Sequence, residues 1–322
     1  MHLHRPCFAV LVLAIGSPNY WAAPPDKTET DKTSIEPERL KGVNTAGDED
    51  DPFFVSDTEV KDGKYDGPRL FYVSRNSEKE KDAKYHIMVS RRKGGDWTKG
   101  HLLDGINGEG EELSPFLMRE ETAVRGKPNY QLFFASSRLG GNFDLFRAMH
   151  TGKDSFLEPA PIANDGVCTE ADELYPWLTD KGKYLYFSRK TKEGMQIFVS
   201  FRPGGNGAFE APHKVDLPVK YCHATLTEDG KTMFLQGPVD NKDRWGIYRA
   251  TRDTGKKNPW DDGAWKDLKA LKGLNTSNGQ KGDLSPCLAK DGPYFFLYFA
   301  SDRPGGAGGL DLYRVNTKSL GD

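Results

Sequence analysis

Carboxylates recur in this chain at one fixed place. Three residues before a proline, or its equivalent, stand Glu49, Glu112, Glu173, Tyr221 and Asp283; one position earlier stand Asp48, Glu111, Asp172, Lys220 and Gly282. A ring of such acids would attract a cation or a basic partner segment. Two of them set about 5–10 Å apart across a sugar would supply an acid and a base or nucleophile. The competing reading is structural: acids that recur copy after copy suit turns in which a carboxylate accepts backbone N–H groups. The pattern breaks at KYCHATL (220–226), where Lys220, Tyr221, Cys222 and His223 replace the acidic run. Either a function has been added there, with Tyr221 and His223 beside Glu173 and Asp283, or the repeat has drifted. Neighbours on a strand point to opposite faces, so Cys222 and His223 are not expected to form a nucleophile–base dyad with each other.

A second recurring group is Arg75, Arg138, Arg189 and Arg303, each after a strand-ending serine. The expected partners are Asp144 and Asp311 on a neighbouring strand, a structural bridge within the repeat. The pairs Gly94-Gly95, Gly140-Gly141, Gly204-Gly205 and Gly305-Gly306 suit hairpin turns that need positive φ. They precede no helix and so are not phosphate loops. Gly-x-Ser-x-Gly, His-Glu-x-x-His and the calcium loop Asp-x-Asp-x-Asp-Gly are all absent. Cys168, Cys222 and Cys287 make no Cys-x-x-Cys pair, and read as small buried apolar residues rather than zinc or redox ligands. No catalytic residue, metal or cofactor is expected.

The elements that must carry these residues are short strands in a repeating unit. The unit runs from the acid and Ser/Tyr-Pro through a Gly turn to an aromatic strand ending in Ser and Arg. A second strand of the Asp-Leu-Tyr kind and a polar closing strand follow. Its copies begin at EDDPFFVSD (49–57), EELSPFLM (111–118), DELYPWLTD (172–180), YCHATLTEDG (221–230) and DLSPCLAKDG (283–292). About four strands per unit, at a period of roughly 50–60 residues, is the arrangement of a propeller blade. The fifth copy lacks its last strand. LKGVNT (40–45) repeats LKGLNT (271–276), which follows the last strand of copy four. The N-terminal segment is therefore expected to add the outer strand of the final blade. The fold expected is all-β: a five-bladed β-propeller closed by its N-terminus, whose strand around Glu36–Leu40 pairs with the strand at Leu312–Val315. SPCLAKDGPYFFLYFASDRPGGAGGLDLYRV (285–315) resembles the repeat of TolB-type, WD-repeat-like propellers of exported bacterial proteins. The resemblance runs over about residues 35–322 and implies a binding module. In such a propeller Glu49, Glu112, Glu173, Tyr221, His223 and Asp283 would stand at one mouth of the central channel as ligand-binding residues.

The 45 Lys and Arg against 47 Asp and Glu give a net charge of −2, which argues against a nucleic-acid partner. Glycine is 35 of 322 residues and aromatics reach 11%, as many turns between short strands require. Residues 1–23 read as a signal peptide built on the apolar run CFAVLVLAI (7–15), and 24–34 as a flexible linker before the propeller domain at 35–322. That run is too short for a stable bilayer anchor, so no integral span is expected after cleavage. The sequence therefore points to an exported, periplasmic or extracellular propeller that binds a protein or cell-envelope glycan at one funnel face without catalysis. The alternative is a carbohydrate-active enzyme of the five-bladed glycoside hydrolase kind. It would be marked by an asymmetric carboxylate pair at the channel and an aromatic platform such as Trp177 or Trp245. A purely structural or assembly role is the third possibility.

Overall fold

The computed structural model describes residues 35–56, 67–75, 83–120, 129–152, 154–162, 166–205, 207–239, 244–275 and 279–320. The expected signal peptide and linker lie outside these residues. After β1 (Glu38–Arg39), blade 1 contains β2 (Asp48–Val55), β3 (Arg69–Arg75), β4 (His86–Lys93), β5 (Asp96–Trp97) and β6 (His101–Leu102). Blade 2 contains β7 (Glu112–Glu120), β8 (Asn129–Ser136), β9 (Asp144–Gly152), β10 (Ser155–Phe156) and β11 (Ala160–Pro161). Blade 3 contains β12 (Glu173–Thr179), β13 (Tyr184–Thr191), β14 (Gly194–Phe201) and β15 (His213–Lys214). Blade 4 contains β16 (Cys222–Leu226), β17 (Thr232–Pro238), β18 (Trp245–Arg252) and β19 (Trp265–Ala270). Blade 5 contains β20 (Asp283–Asp291), β21 (Tyr294–Ser301) and β22 (Asp311–Asn316), with β1 as its outermost strand. The result is the expected five-bladed, all-β propeller.

Every ladder in the five blades is antiparallel, and each blade packs its apolar faces against its neighbours. The second strand of each blade is the most deeply buried: Leu70, Phe71, Leu132, Phe133, Leu185, Leu235 and Leu297 have no exposed surface. Closure pairs the two segments expected to meet, with Glu38 opposite Arg314 and Arg39 opposite Tyr313. Asn44 then clamps β22: its Oδ1 accepts the Leu312 N–H at 2.7 Å and its Nδ2 donates to the Leu312 carbonyl at 3.1 Å. Asn275 makes the same double bond to Ile247 (2.8 and 3.1 Å), and Asn107 to Ile87 (2.8 and 2.9 Å). This explains why LKGVNT and LKGLNT match: the shared asparagine satisfies a backbone N–H and C=O that the short outer strand leaves unpaired.

The innermost strands β2, β7, β12, β16 and β20 share an irregularity. In each the pairing register shifts across one segment, Asp50/Phe53, Leu113/Phe116, Leu174/Trp177, Cys222/Thr225 and Leu284/Cys287. Within each segment a non-glycine residue has positive φ: Asp51 48°, Ser114 57°, Tyr175 60°, His223 51° and Ser285 53°. These are β-bulges, which re-aim a side chain out of the pleat. A left-handed conformation at a tyrosine or histidine is costly and persists only where the surrounding structure imposes it.

Candidate functional site

The recurring acids turn into their own blades rather than toward a channel mouth. Glu49, Glu112, Glu173 and Asp283 are all 0% exposed. Glu49 accepts Thr45 N–H at 2.7 Å, Thr45 Oγ1 at 2.6 Å and Ser74 Oγ at 3.0 Å. Glu112 receives Ser136 Oγ at 3.1 Å and Arg138 Nη2 at 3.3 Å, with His86 Nδ1 at 3.1 Å. Glu173 receives Thr169 N–H at 3.0 Å, Thr169 Oγ1 at 2.6 Å and Arg189 Nε at 2.7 Å. Asp283 is bound by Arg303 Nη2 at 2.7 Å. The recurring arginines thus pair with the inner-strand acid of their own blade, and Arg75 with Asp48 at 2.7 Å. The sequence expectation of Asp144 and Asp311 as their partners is corrected: Asp311 accepts the Ala307 and Gly308 backbone N–H groups instead. The reason is register, since Glu173 lies directly opposite Arg189 across the β12–β13 ladder.

Tyr221 stands at the acid position of blade 4 and packs the same way. A side chain on Gly237 would collide with its ring at 2.3 Å, and Tyr248 meets it edge-on at 5.0 Å. The Gln236-Gly237 pair thus makes room for the larger ring. Burial pushes the Glu173 carboxyl above its usual range, against the opposing pull of Thr169 and Arg189. Glu173→Gln is expected to cost about 1–3 kcal/mol of stability by removing the charged partner of the half-buried Arg189 Nε. Chemical denaturation measures this, and an unchanged midpoint would remove the structural role assigned here.

The groups that reach the axis are the bulge residues. Asp51, Ser114, Tyr175 and His223 line a small central space of about 20 Å3, room for a single water. Ser114 donates both its N–H (2.9 Å) and its Oγ (3.0 Å) to Asp51 Oδ2. His223 Nδ1 lies 3.6 Å from Asp51 Oδ1, beyond hydrogen-bonding distance, and its ring stacks on Tyr175 at 4.0 Å. His223 therefore faces Asp51 across the axis. Burial, reinforced by the charge of Asp50, pushes the Asp51 carboxyl up to about 7, while Ser285 and Ser114 hold it down. Burial also raises Asp50, which Ser285 and the Asp51 N–H counter. Desolvation pushes His223 down to about 3, so it is neutral at physiological pH. Cys222 and Cys287 are buried and pushed up to about 12, inert as nucleophiles. Among the described residues no group of three or more His, Cys, Asp and Glu side chains is placed to hold a metal ion.

The recurring-acid pattern does not point to Asp50 or Asp51. A different signal does: Asp50 occupies the position held by Leu113, Leu174, Cys222 and Leu284 in the other four copies. Only blade 1 places a carboxylate there. Below the ring, Phe53, Phe116 and Trp177 interlock at centroid distances of 5.0, 5.9 and 4.9 Å and close the axis. Beyond them a funnel of about 910 Å3 opens at the far ends of the five inner strands.

No protein-family model and no curated protein sequence matches the chain. Solved structures do. A GH62 hydrolase in complex with xylotriose matches with TM-score 0.58 and 11% identity, over 89% of this chain and 98% of that one. The Xanthomonas citri GH43_1 enzyme complexed with xylotriose matches with TM-score 0.58 and 13% identity, over 88% and 90%. The Podospora anserina α-L-arabinofuranosidase in complex with cellotriose matches with TM-score 0.56 and 13% identity, over 90% and 93%. These similar structures are glycoside hydrolases.

At this identity the likeness is one of fold. It corrects the TolB-type, WD-repeat-like resemblance and, with it, the expectation of a non-enzymatic binding module. The repeat wording reports hairpin turns and blade packing, which different propellers share. Blade number and closure, in contrast, decide which whole chains superpose. Among the described residues no helix is long and apolar enough to cross a membrane.

Proposed function

We propose that this chain is a carbohydrate-active enzyme whose acid–base centre is the Asp50–Asp51 pair on the first inner strand. One observation carries the reading: repeat symmetry is broken at the axis by two adjacent carboxylates, one of them raised to about 7 beside a neutral histidine. Two interacting carboxylates lose their protons in separate steps, so one pair can supply both an acid and a base. In this reading Asp51 holds the proton, which the single water admitted by its enclosed space relays to a departing glycosidic oxygen. Asp50, half-buried on the same strand, is the partner carboxylate that takes a proton from water once it is ionised. Ser114 orients Asp51 through two hydrogen bonds, and the stacked Tyr175 and His223 wall its space from bulk water. The fold it shares with enzymes solved with xylotriose and cellotriose supports a sugar substrate. With the export signal read from residues 1–23, the proposed setting is periplasmic or extracellular.

The test is turnover of arabinose- and xylose-containing oligosaccharides, followed by mass spectrometry of the released sugars. Asp51→Asn is expected to lower kcat/KM by about 10²–10⁴ while the protein stays folded. Hydrolysis at full rate by Asp51→Asn, or none by the unmodified protein across a broad glycan panel, would sink the proposal.

A further inference from the structure

Lys281 stands two residues before the inner-strand acid of blade 5. The same position holds Gly47, Gly110, Ala171 and Val219 in the other copies, so one blade alone places a charge there. We propose that Lys281 is a positioning residue for the acid–base pair: bridging blade 5 to Asp48, it supplies the positive charge that favours ionised Asp50. The inference deepens the carbohydrate reading above, and rests on it for the role of Asp50.

Three features carry it. The first is reach across the seam between the last blade and the first, where Lys281 Nζ donates to Asp48 Oδ1 at 2.9 Å. The second is a charge count. Asp48 also accepts Arg75 Nη2 at 2.7 Å, the Leu310 N–H at 2.9 Å and the Tyr85 hydroxyl at 3.3 Å. One carboxylate thus meets two cations, and the cluster keeps a net positive charge. Burial raises the Asp48 carboxyl, but Lys281, the Leu310 N–H and Arg75 together hold it below its usual range, so it stays ionised. The third is the strand face. Pairing with β3 is regular from Asp48 to Asp50, so these two side chains share one face of β2, and the bulge follows them. Asp50 is therefore the next carboxylate beside the positive cluster.

Burial raises the Asp50 carboxyl and the charge of Asp48 adds to this, while Ser285, the Asp51 N–H and Lys281 act against it. Asp51 is its coupled neighbour. Tyr85 and Tyr175 also face it, and burial keeps both phenols protonated. The backbone that carries Lys281 is fixed on both sides. Its N–H donates to Asp302 Oδ2 at 2.7 Å, and its carbonyl accepts the Trp245 N–H at 2.9 Å. Gly282 follows at φ 90°, packed against the Trp245 carbonyl with no room for a side chain.

The experiment follows the Asp50 carboxyl by carbon-13 NMR from about pH 4 to 9 in the full propeller labelled at aspartate. The Asp50 signal is the one lost in Asp50→Asn, and Asp51 is followed beside it because the two titrate together. Lys281→Met, which keeps the alkyl stem and removes the charge, is expected to raise the Asp50 midpoint by roughly half a pH unit or more. Lys281→Arg should restore it. Lys281 is exposed and Asp48 keeps its other partners, so the unfolding midpoint should change little. The acidic limb of kcat/KM against pH, on arabinose- and xylose-containing oligosaccharides, should move upward with the NMR midpoint. An Asp50 midpoint unmoved by Lys281→Met, one moved equally by Lys281→Arg, or an acidic limb that ignores the substitution overturns the inference. If the midpoint moves as expected while the unmodified protein hydrolyses no glycan, the enzyme reading fails and the coupling of Lys281 to Asp50 stands.

Discussion

Deleting residues 24–42 is expected to leave a chain that does not hold its fold at 37 °C, whereas deleting only 24–33 changes the unfolding midpoint little. The longer deletion removes β1 and with it the Glu38–Arg314 ion pair (2.8 Å) and the Leu40 N–H bond to the Leu312 carbonyl (3.0 Å). It also removes Leu40, which is 2% exposed, and frees β22 as a bare edge. Burying one leucine contributes about 1.5–3 kcal/mol and each lost hydrogen bond about 1 kcal/mol. Their sum, about 3–5 kcal/mol, is a large fraction of the whole stability of many domains. The bare edge adds an aggregation route. Thermal unfolding followed by circular dichroism compares the two truncations. If both melt like the longer chain, β1 is not the clasp that closes the ring.

The second large effect is in the pH dependence of stability. The Asp51 carboxyl is raised from an ordinary 3.8 to about 7, so between these values the folded protein holds a proton that the unfolded chain has lost. Stability from this group is present at low pH and falls as pH rises through about 7. His223 acts in the opposite sense. It is lowered from 6.5 to about 3, so between these values the unfolded chain holds the extra proton and stability rises with pH. Each contribution is on the order of 4 kcal/mol across its window, and from about pH 4 to 6.5 the two oppose each other. Single substitutions should expose them separately. Asn tolerates positive φ, so Asp51→Asn and His223→Asn preserve the bulge. Relative to the unmodified protein, Asp51→Asn should gain stability as pH rises from 4 to 7. His223→Asn should lose it as pH rises from 3 to 6.5. Asp50, also raised by burial, titrates with Asp51 and broadens the first curve. Denaturant titrations at four or five pH values measure both. Parallel curves for all three proteins would mean that the axial groups are not buried as described.

Blade count and closure are legible in the sequence because both follow from local pattern. Five copies of one strand-and-turn wording require five equivalent units, and an incomplete last copy requires a strand from elsewhere. The asparagine shared by LKGVNT and LKGLNT marks the same clamp in both places. Glu49, Glu112, Glu173 and Asp283 are equally visible as a recurring set, but their direction is not. Side-chain alternation reads as period two only along an unbroken strand, and the bulge in each inner strand breaks that count just after the acid. The acids therefore turn inward to their blades, and the residue two places on turns to the axis.

What the chain encodes locally is the blade: its turns, its aromatic ladders, its arginine–carboxylate pairs and the strand that completes the ring. Which side chains meet at the centre is decided only when five blades close. Asp51, Ser114 and His223 come from three different blades, yet they share one space of about 20 Å3. Nothing in the spacing of KYCHATL predicts that His223 faces Asp51 rather than Glu173 or Asp283. The elevated Asp51 and depressed His223 are likewise properties of the closed ring, since both arise from removing water on every side at once. Sequence determined the unit and its number; the burial that gives the axial carboxylates their chemistry exists only in the assembled propeller.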